Sequence, residues 1–547
     1  MKSPFPLWKI TLLSALFISI FGNFSFWAHL IDRISIKENP FLLLSFFIIV
    51  FMLINVLLTL LSFKSIFKAV TILLLLTSAS AAYFMDNYAV MIDKDMIRNI
   101  LATDMHEAKE LFSFRLFITI LLLGIIPSWL VFKAKINYQP FVKGLFQKTL
   151  ISLACIGIIV ATLYTNYQEL SFFGRNNREL RHLINPVNYI SSIKSIINQR
   201  FKDRNIIVEP IEDDASKIIT GNQKKKPSLV ILVLGETARA MNFSLNGYQR
   251  NTNPRLAQQD IINFKDVSSC GTATAVSVPC MFSKFSRVDF SHSKGKQYEN
   301  LLDVAQHAGY QVLWRDNNTG CQGSCERVDY EDLAHKELAE FCKDGNCVDD
   351  ILLHGLQDII NEKSVTNQNG DRLIILHQKG NHGPTYHLRY PKEFEVFKPA
   401  CKTNQLRSCS REEIVNAYDN AILYSDSFIS NTIDFLKKNT EKYDTAMVYI
   451  SDHGESLGEN NLYLHGLPYI IAPEQQKKVP FIVWLSKDYQ QTYSMDKSCI
   501  AQKSATKLSH DNLFSSMLGL LAIQTQVHDA SLDIFSSCSK TQIAKRQ

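Results

Sequence analysis

Apolar positions divide the chain into two unlike parts. Up to about residue 170 they form long uncharged runs, and beyond it they form short runs separated by polar, helix-patterned segments. Five stretches, 10–31, 41–63, 69–85, 116–132 and 149–168, contain no Asp, Glu, Lys or Arg. A bilayer crossing takes about 20 apolar residues, so the pattern predicts five membrane-spanning helices. The third and fourth, at 17 residues each, are the shortest. A cleaved signal peptide is the rival reading of the first run, but that run is long and no small-residue cleavage site follows it.

Basic loops stay in the cytoplasm, and three groups of Lys residues here fall on one side. Lys2 and Lys9 precede the first run, Lys64 and Lys68 separate the second from the third, and Lys133, Lys135, Lys143 and Lys148 separate the fourth from the fifth. The loop 86–114, on the other side, carries six acids (Asp86, Asp93, Asp95, Asp104, Glu107, Glu110) against three bases (Lys94, Arg98, Lys109). With an odd number of spans, everything after residue 170 lies outside the cytoplasm. The net charge of +6 is spread along 547 residues without a basic stripe, so nucleic acid is set aside.

The cysteines test that orientation independently. Cys155 lies in the fifth run, and the other ten all follow residue 269. An oxidising compartment would convert close pairs into disulfides: Cys270 with Cys280, Cys321 with Cys325, Cys342 with Cys347, Cys401 with Cys409, and, at longer range, Cys499 with Cys538. A structural zinc site built from Cys321, Cys325, Cys342 and Cys347 is the alternative.

Residues 164–226 are mixed. Leu180, Leu183, Ile184 and Val187 recur at helical intervals among Arg175, Arg178 and Arg181, which predicts an amphipathic helix on the membrane surface or a plain linker helix. Lys224, Lys225, Lys226 and Pro227 mark a boundary. The expected domains are 1–168 (transmembrane, five helices), 169–226 (bridge) and 227–547 (soluble, catalytic). In the last of these, continuous apolar runs at 228–234, 311–314, 372–377, 446–451 and 479–485 read as buried strands, with helical patterns between them such as 412–438. That alternation predicts an α/β domain whose mostly parallel sheet is sandwiched by helices, with ligands at the carboxyl ends of the strands.

The residues leaving those strands are therefore the candidates for chemistry: Glu236, then Asn317 and Asn318, then His377 and His382, then Asp452 and His453. Carboxylate and imidazole donors suit zinc, and a catalytic zinc site keeps one position for substrate or nucleophile. Gly454 would permit the turn that lets adjacent Asp452 and His453 reach one centre. The segment CGTATAVSVPC at 270–280 offers three hydroxyls, Thr272, Thr274 and Ser277, and a helix opening there would present free N–H groups to a phosphate. A helix cap without chemistry is the competing reading, and residue chemistry alone does not choose among the three hydroxyls.

Together with GETAR at 235–239, WRDNN at 314–318, HQKGNHGP at 377–384, SDHGESLGE at 451–459 and LHG at 464–466, these residues resemble those of the lipid A phosphoethanolamine transferases. That family includes the mobile colistin-resistance enzymes and belongs to the alkaline phosphatase and sulfatase superfamily. The resemblance covers essentially the whole chain. It implies a multi-pass protein of the bacterial inner membrane with an alkaline-phosphatase-like catalytic domain in the periplasm. By the same resemblance Thr274 is the nucleophile, and Glu236, Thr274, Asp452 and His453 surround a zinc ion. His382 and His465 form a second pair that binds phosphate, protonates a leaving group or holds a further zinc. Asn99 and Glu107 stand where the family lines its donor-lipid site. Gln322 is a departure: many relatives carry a Lys there, near the transferred phosphate.

The implied reaction moves phosphoethanolamine from phosphatidylethanolamine through Thr274 to a lipid A phosphate, conferring polymyxin resistance, and a monomer is expected. A lipopolysaccharide core sugar or a periplasmic glucan is the alternative acceptor. A sulfatase requires Cys/Ser-x-Pro-x-Arg, and Ser277, Val278, Pro279, Cys280 and Met281 end without the Arg. A catalytically silent membrane sensor would have lost ligand residues, and none is missing.

Overall fold

The structure, a computed structural model, describes residues 4–37, 39–204, 206–218, 226–336, 338–343, 345–361 and 370–539. Lys224 and Lys225 of the expected boundary lie outside these. The chain forms two compact units. One comprises Met1–Ile97 and Phe112–Asn198, and the other comprises Arg98–Leu111 and Gln199–Gln547.

In the first unit, α3 (Pro40–Leu60), α4 (Phe67–Tyr88), α5 (Phe114–Lys133) and α6 (Phe141–Thr165) are each long and apolar enough to cross a bilayer. The third and fourth runs thus extend into helices of 22 and 20 residues. The first run is not a single straight helix. It is split between α1 (Leu7–Phe21) and α2 (Phe24–Arg33), which meet at 57° and supply a fifth crossing if taken as one bent span. The break has a local cause in buried Asn23, whose backbone leaves the helical region. Its amide donates to the carbonyls of Ile18 (2.8 Å) and Asn185 (3.0 Å), and its Oδ1 accepts from the Asn185 N–H (2.8 Å). A carboxamide away from water needs such partners, and at the bend Asn23 has them.

The amphipathic helix expected around 180–187 is likewise interrupted. A 3-10 turn spans Arg178–Leu183, and α7 starts only at Val187 (Val187–Asp203). Pro186 lacks an N–H and keeps Asn185 out of the helical region. Leu180 and Leu183 are buried rather than laid along a membrane surface.

In the second unit seven strands form one sheet. In chain order they are β1 (Ser228–Gly235), β2 (Ile262–Phe264), β3 (Gln311–Asp316), β4 (Asp329–Asp332), β5 (Arg372–His377), β6 (Asp444–Ser451) and β7 (Phe481–Leu485), and across the sheet the order is β2-β7-β6-β1-β5-β3-β4. The five strands from β6 to β4 run parallel, and β7 is antiparallel to both of its neighbours. Every residue of β1 is buried. Val230, Leu232 and Leu234 join one hydrophobic layer while Leu229, Ile231 and Val233 join the other, because side chains alternate across a strand. Each such side chain contributes about 1.5–3 kcal/mol by leaving water, which fixes β1 at the centre of the sheet.

Helix α9 (Arg411–Lys438) covers the second layer through residues such as Ile414, Ile422, Phe428 and Ile433. A Ser410/Glu413 capping box starts it, and Lys437 and Lys438 in its last turn complement its dipole. The five expected cysteine pairs are all disulfides, which removes the thiolates of a four-cysteine zinc site. Because Asn23 joins the α1–α2 bend to Asn185, Asn23→Leu should cost about 1–3 kcal/mol, seen as a lower Tm of the detergent-solubilised chain. An unchanged Tm would mean that the bend does not depend on this residue.

Candidate active site and metal centre

Strand register determines what meets at the sheet's carboxyl edge. Gly235 of β1 is in register with Ser451 of β6, and the Asp452 N–H donates to the Gly235 carbonyl (2.9 Å). Glu236 and the Asp452–His453 pair therefore emerge side by side. Ligand atoms of Glu236, Asp452 and His453 all lie within 4.8 Å of one another, and the three side chains are buried. Among the described residues no other group of three His, Cys, Asp or Glu side chains converges in this way.

The three hydroxyls of 270–280 separate clearly. Helix α8 (Thr274–Met281) starts at Thr274, after Ala273, with no side chain capping its first turn. Thr274 Oγ1 is 3.0 Å from Glu236 Oε2, to which it donates, and 3.2 Å from His453 Nε2. The Thr272 hydroxyl instead donates to the Leu467 carbonyl (2.6 Å), and that of Ser277 to the Asp452 carbonyl (2.5 Å).

The donor set fits a divalent cation. His453 Nδ1 faces the Gly454 carbonyl at 2.9 Å. A carbonyl only accepts, so a proton is on Nδ1, and in the neutral imidazole Nε2 would present its lone pair to the centre. Asp452 Oδ1 accepts the N–H groups of Thr237 (3.0 Å) and His453 (2.7 Å), whereas its buried Oδ2 has no hydrogen bond. Burial and the neighbouring Glu236 push Asp452 up to about 7. Burial opposes the His453 cation, yet Asp452 and Glu236 outweigh it and raise His453 to about 10. Without a metal, a proton has to offset these two carboxylates; a dication would do so without protonating the ligands.

Around this centre lie contacts that strand-end reading does not reveal. Asn318 Nδ2 donates to Glu236 Oε2 (2.9 Å), and the Thr237 hydroxyl, from a residue with φ +58°, binds Glu236 Oε1. Buried His377 donates through Nδ1 to Asp316 (2.8 Å), while its Nε2 faces Asn318 Nδ2 at 3.3 Å. The His465 ring centre is 4.3 Å from that of His453 and 5.6 Å from that of His382. Its Nδ1 donates to Glu455 (2.8 Å), whose other oxygen accepts the Tyr386 hydroxyl (2.6 Å). Glu455 lies inside the SDHGES motif, and acceptor-rich motif positions are the feature that could have singled it out.

The short helix Met105–Glu110 belongs to this unit, and it brings Glu107 Oε1 to 3.3 Å from His382 Nε2. Burial disfavours the His382 cation, but Glu107 overcomes this and raises the imidazole above its ordinary range. Asn99 and Gln322 are both half-buried and, among the described residues, neither is hydrogen-bonded to the residues just named. The Asn99 carbonyl accepts the Thr103 N–H (2.9 Å), and Gln322, at φ +53°, donates to the Thr319 carbonyl (3.3 Å).

A buried carboxylate and an Asp–His pair at adjacent parallel strand ends, facing a hydroxyl at a helix N-terminus, define the alkaline phosphatase and sulfatase class. The family described as Sulfatase matches residues 228–523. The chain belongs to the phosphoethanolamine transferases of that class. The family described as Phosphoethanolamine transferase EptA/EptB matches residues 50–201. The phosphoethanolamine transferase EptA of Escherichia coli strain K12 is 40% identical over 537 residues, 97% of this chain and 96% of that protein. The phosphatidylethanolamine transferase Mcr-1 of Escherichia coli is 35% identical over 518 residues, 93% and 94% of the two chains. The solved integral membrane protein lipooligosaccharide phosphoethanolamine transferase A (EptA) of Neisseria meningitidis superposes with a TM-score of 0.92 at 34% identity, covering 97% of this chain and 98% of that one.

Two glycines are required by close approach. A Cβ on Gly454 would lie 2.1 Å from the Gln475 carbonyl, so its role is space rather than a left-handed turn. Gly380, at φ +53°, would bring a Cβ within 2.6 Å of the Glu236 carbonyl. Gly380→Ala should therefore cost at least about 2–3 kcal/mol, against about 1 kcal/mol for Gly247→Ala, where φ is also positive but the space is open. Thermal unfolding of the two variants compares them, and equal losses would show that Glu236 is not crowded.

Proposed function

We propose that the chain transfers phosphoethanolamine from phosphatidylethanolamine to a phosphate of lipid A in two displacements through Thr274, and so confers polymyxin resistance. The observation that carries this reading is the isolation of one hydroxyl: Thr274 faces Glu236 and His453, while Thr272 and Ser277 are tied to backbone carbonyls. Residues 1–168 anchor the enzyme in the inner membrane, 169–226 form the bridge, and 227–547 do the chemistry on the periplasmic side. Both substrates keep their acyl chains in the bilayer, so the catalytic domain must be held at its surface.

Glu236, Thr274, Asp452 and His453 would hold a zinc ion, which when bound would supply positive charge to make the alcohol more acidic and to polarise a phosphoryl oxygen. In the first displacement Thr274 Oγ1 gives up its proton, for which Glu236 Oε2 at 3.0 Å is the nearest acceptor, and forms a bond to phosphorus. The phosphorus–oxygen bond to diacylglycerol breaks, and the departing alkoxide takes a proton from His382 or His465. His382 suits that task because Glu107 favours its charged form. In the second displacement an oxygen of the lipid A phosphate attacks the same phosphorus and the proton of that phosphate passes to the imidazole, while Thr274 leaves as the alcohol by taking back the proton from Glu236. His465 is oriented by Glu455 so that Nε2 is free to exchange protons. Asn99 and Glu107 line the donor site, and Gln322 offers the transferred phosphate a neutral hydrogen-bond donor. A second zinc held by His382 and His465 is the alternative use of that pair, in place of the proton donor.

Mass spectrometry of lipid A from cells expressing the chain tests the proposal. Wild type should add phosphoethanolamine, Thr274→Ala should abolish the addition, and Thr272→Ala should retain most of it. Lipid A unchanged beside a modified core oligosaccharide would move the acceptor to a core sugar, and modified glucan would move it there. Chelation should remove at least about 100-fold of the activity, and zinc should restore it; full activity in metal-free protein would end the metal reading. Glu107 raises the His382 pKa, and the acid form is present below that pKa. Glu107→Gln should therefore shift the alkaline limb of the pH–rate profile to lower pH, and an unmoved limb would exclude His382 as the acid.

A further inference from the structure

The membrane unit contains a cavity that transferase chemistry does not use. It has a volume of ≈ 530 Å³ and is lined by residues of the α1 start, the end of α3, the 138–140 loop and the first turns of α6. Helix α3 packs against both α1 and α6, and the cavity opens beside the end of α3, within the size range of small-molecule sites. This is the end of the unit to which the Lys-rich loops assign the cytoplasmic leaflet.

The lining is amphipathic and one-signed. Lys64 and Lys148 contribute the charges, and no Asp or Glu lines the cavity. The Lys148 ammonium lies 3.8 Å from the Phe63 ring centre, held by cation–π attraction at the lining. Tyr138 and Ser62 add hydroxyls, while Leu145 and Ile151 supply an apolar wall. Thr59 also lines the cavity, and the residue is 2% exposed. Its buried hydroxyl has no hydrogen-bond partner, a condition shared in the membrane helices by Thr71, Ser128 and Ser152; of the four, Thr59 alone lines the cavity. A buried hydroxyl left without a partner costs free energy, which a ligand oxygen would relieve. In addition, α6 opens after Pro140 with no side-chain cap, so the N–H groups of its first turn are available to an anion.

From these features we infer that the cavity binds one anionic glycerophospholipid of the cytoplasmic leaflet. Its phosphodiester sits between Lys64, Lys148 and the first turn of α6, and an acyl chain lies along Leu145 and Ile151. A zwitterionic headgroup fits less well, because its ammonium would lie among lysines with no carboxylate to receive it. The site is thereby separate in chemistry from any site for a phosphatidylethanolamine donor, and it holds whether or not the acceptor is lipid A.

Native mass spectrometry of the delipidated full-length chain in detergent tests this, with dioleoyl phosphatidylglycerol and dioleoyl phosphatidylethanolamine as probes at equal concentration. Wild type should retain one phosphatidylglycerol about tenfold more than phosphatidylethanolamine, a preference two basic residues can supply. Lys64→Gln/Lys148→Gln should abolish the preference, and Lys133→Gln/Lys135→Gln, outside the cavity, should keep it. Gly144→Leu, which keeps every charge but fills space, should lose the bound lipid as well. Inorganic phosphate at the same concentration should not compete, since it lacks the acyl chain. Equal retention of both lipids, a preference lost equally in the two Lys pairs, or full displacement by inorganic phosphate would each overturn the proposal.

Discussion

Two buried carboxylates held at the ends of neighbouring parallel strands constrain the rest of the catalytic unit. Glu236 and Asp452 would drift apart if their strands slipped by one residue, since the side-chain period of a strand is 2. The apolar residues of β1, divided evenly between two hydrophobic layers, oppose that slip, and the Asp452 N–H to Gly235 carbonyl bond closes the edge. The repulsion left over is met by Asn318, Thr237 and His453. The scaffold thus stores an electrostatic demand for a cation at one point, and the hydroxyl of Thr274 opens onto that point.

Much of this was legible because buried parallel strands advertise themselves as continuous apolar runs and their last residues mark one edge. The runs ending near Leu234, Trp314, His377 and Ser451 placed Glu236, Asn318, His382, Asp452 and His453 on one rim of the sheet. The two edge strands were not visible. Asp329–Asp332 consists of Asp, Tyr, Glu and Asp with much of its surface exposed, and Ile262–Phe264 is only three residues long. Contacts between loops, such as Glu455 with His465 or Thr237 with Glu236, join residues whose pairing no periodicity encodes.

The membrane half illustrates a different limit. A search for charge-free runs passes over Asn23, because an amide is polar without being charged, yet that residue and its partner Asn185 accompany a sharp change of direction between α1 and α2. Pro186 has the same effect on the bridge, ending one helical pattern and starting another. Uncharged polar groups and imino nitrogens are weak in hydropathy but strong in backbone geometry.

One consequence concerns excised fragments. The stretch Arg98–Leu111 is encoded between membrane helices but folds with the catalytic unit, where Glu110 pairs with Arg389 and Thr385, and Glu107 with His382. A protein cut to begin near residue 227 would retain Glu236, Asp452 and His453 while losing both acids. Its His382 would be a more weakly basic imidazole in a more positive pocket. Solution studies on such a truncated piece would therefore describe an intact strand-end cluster beside an altered His382.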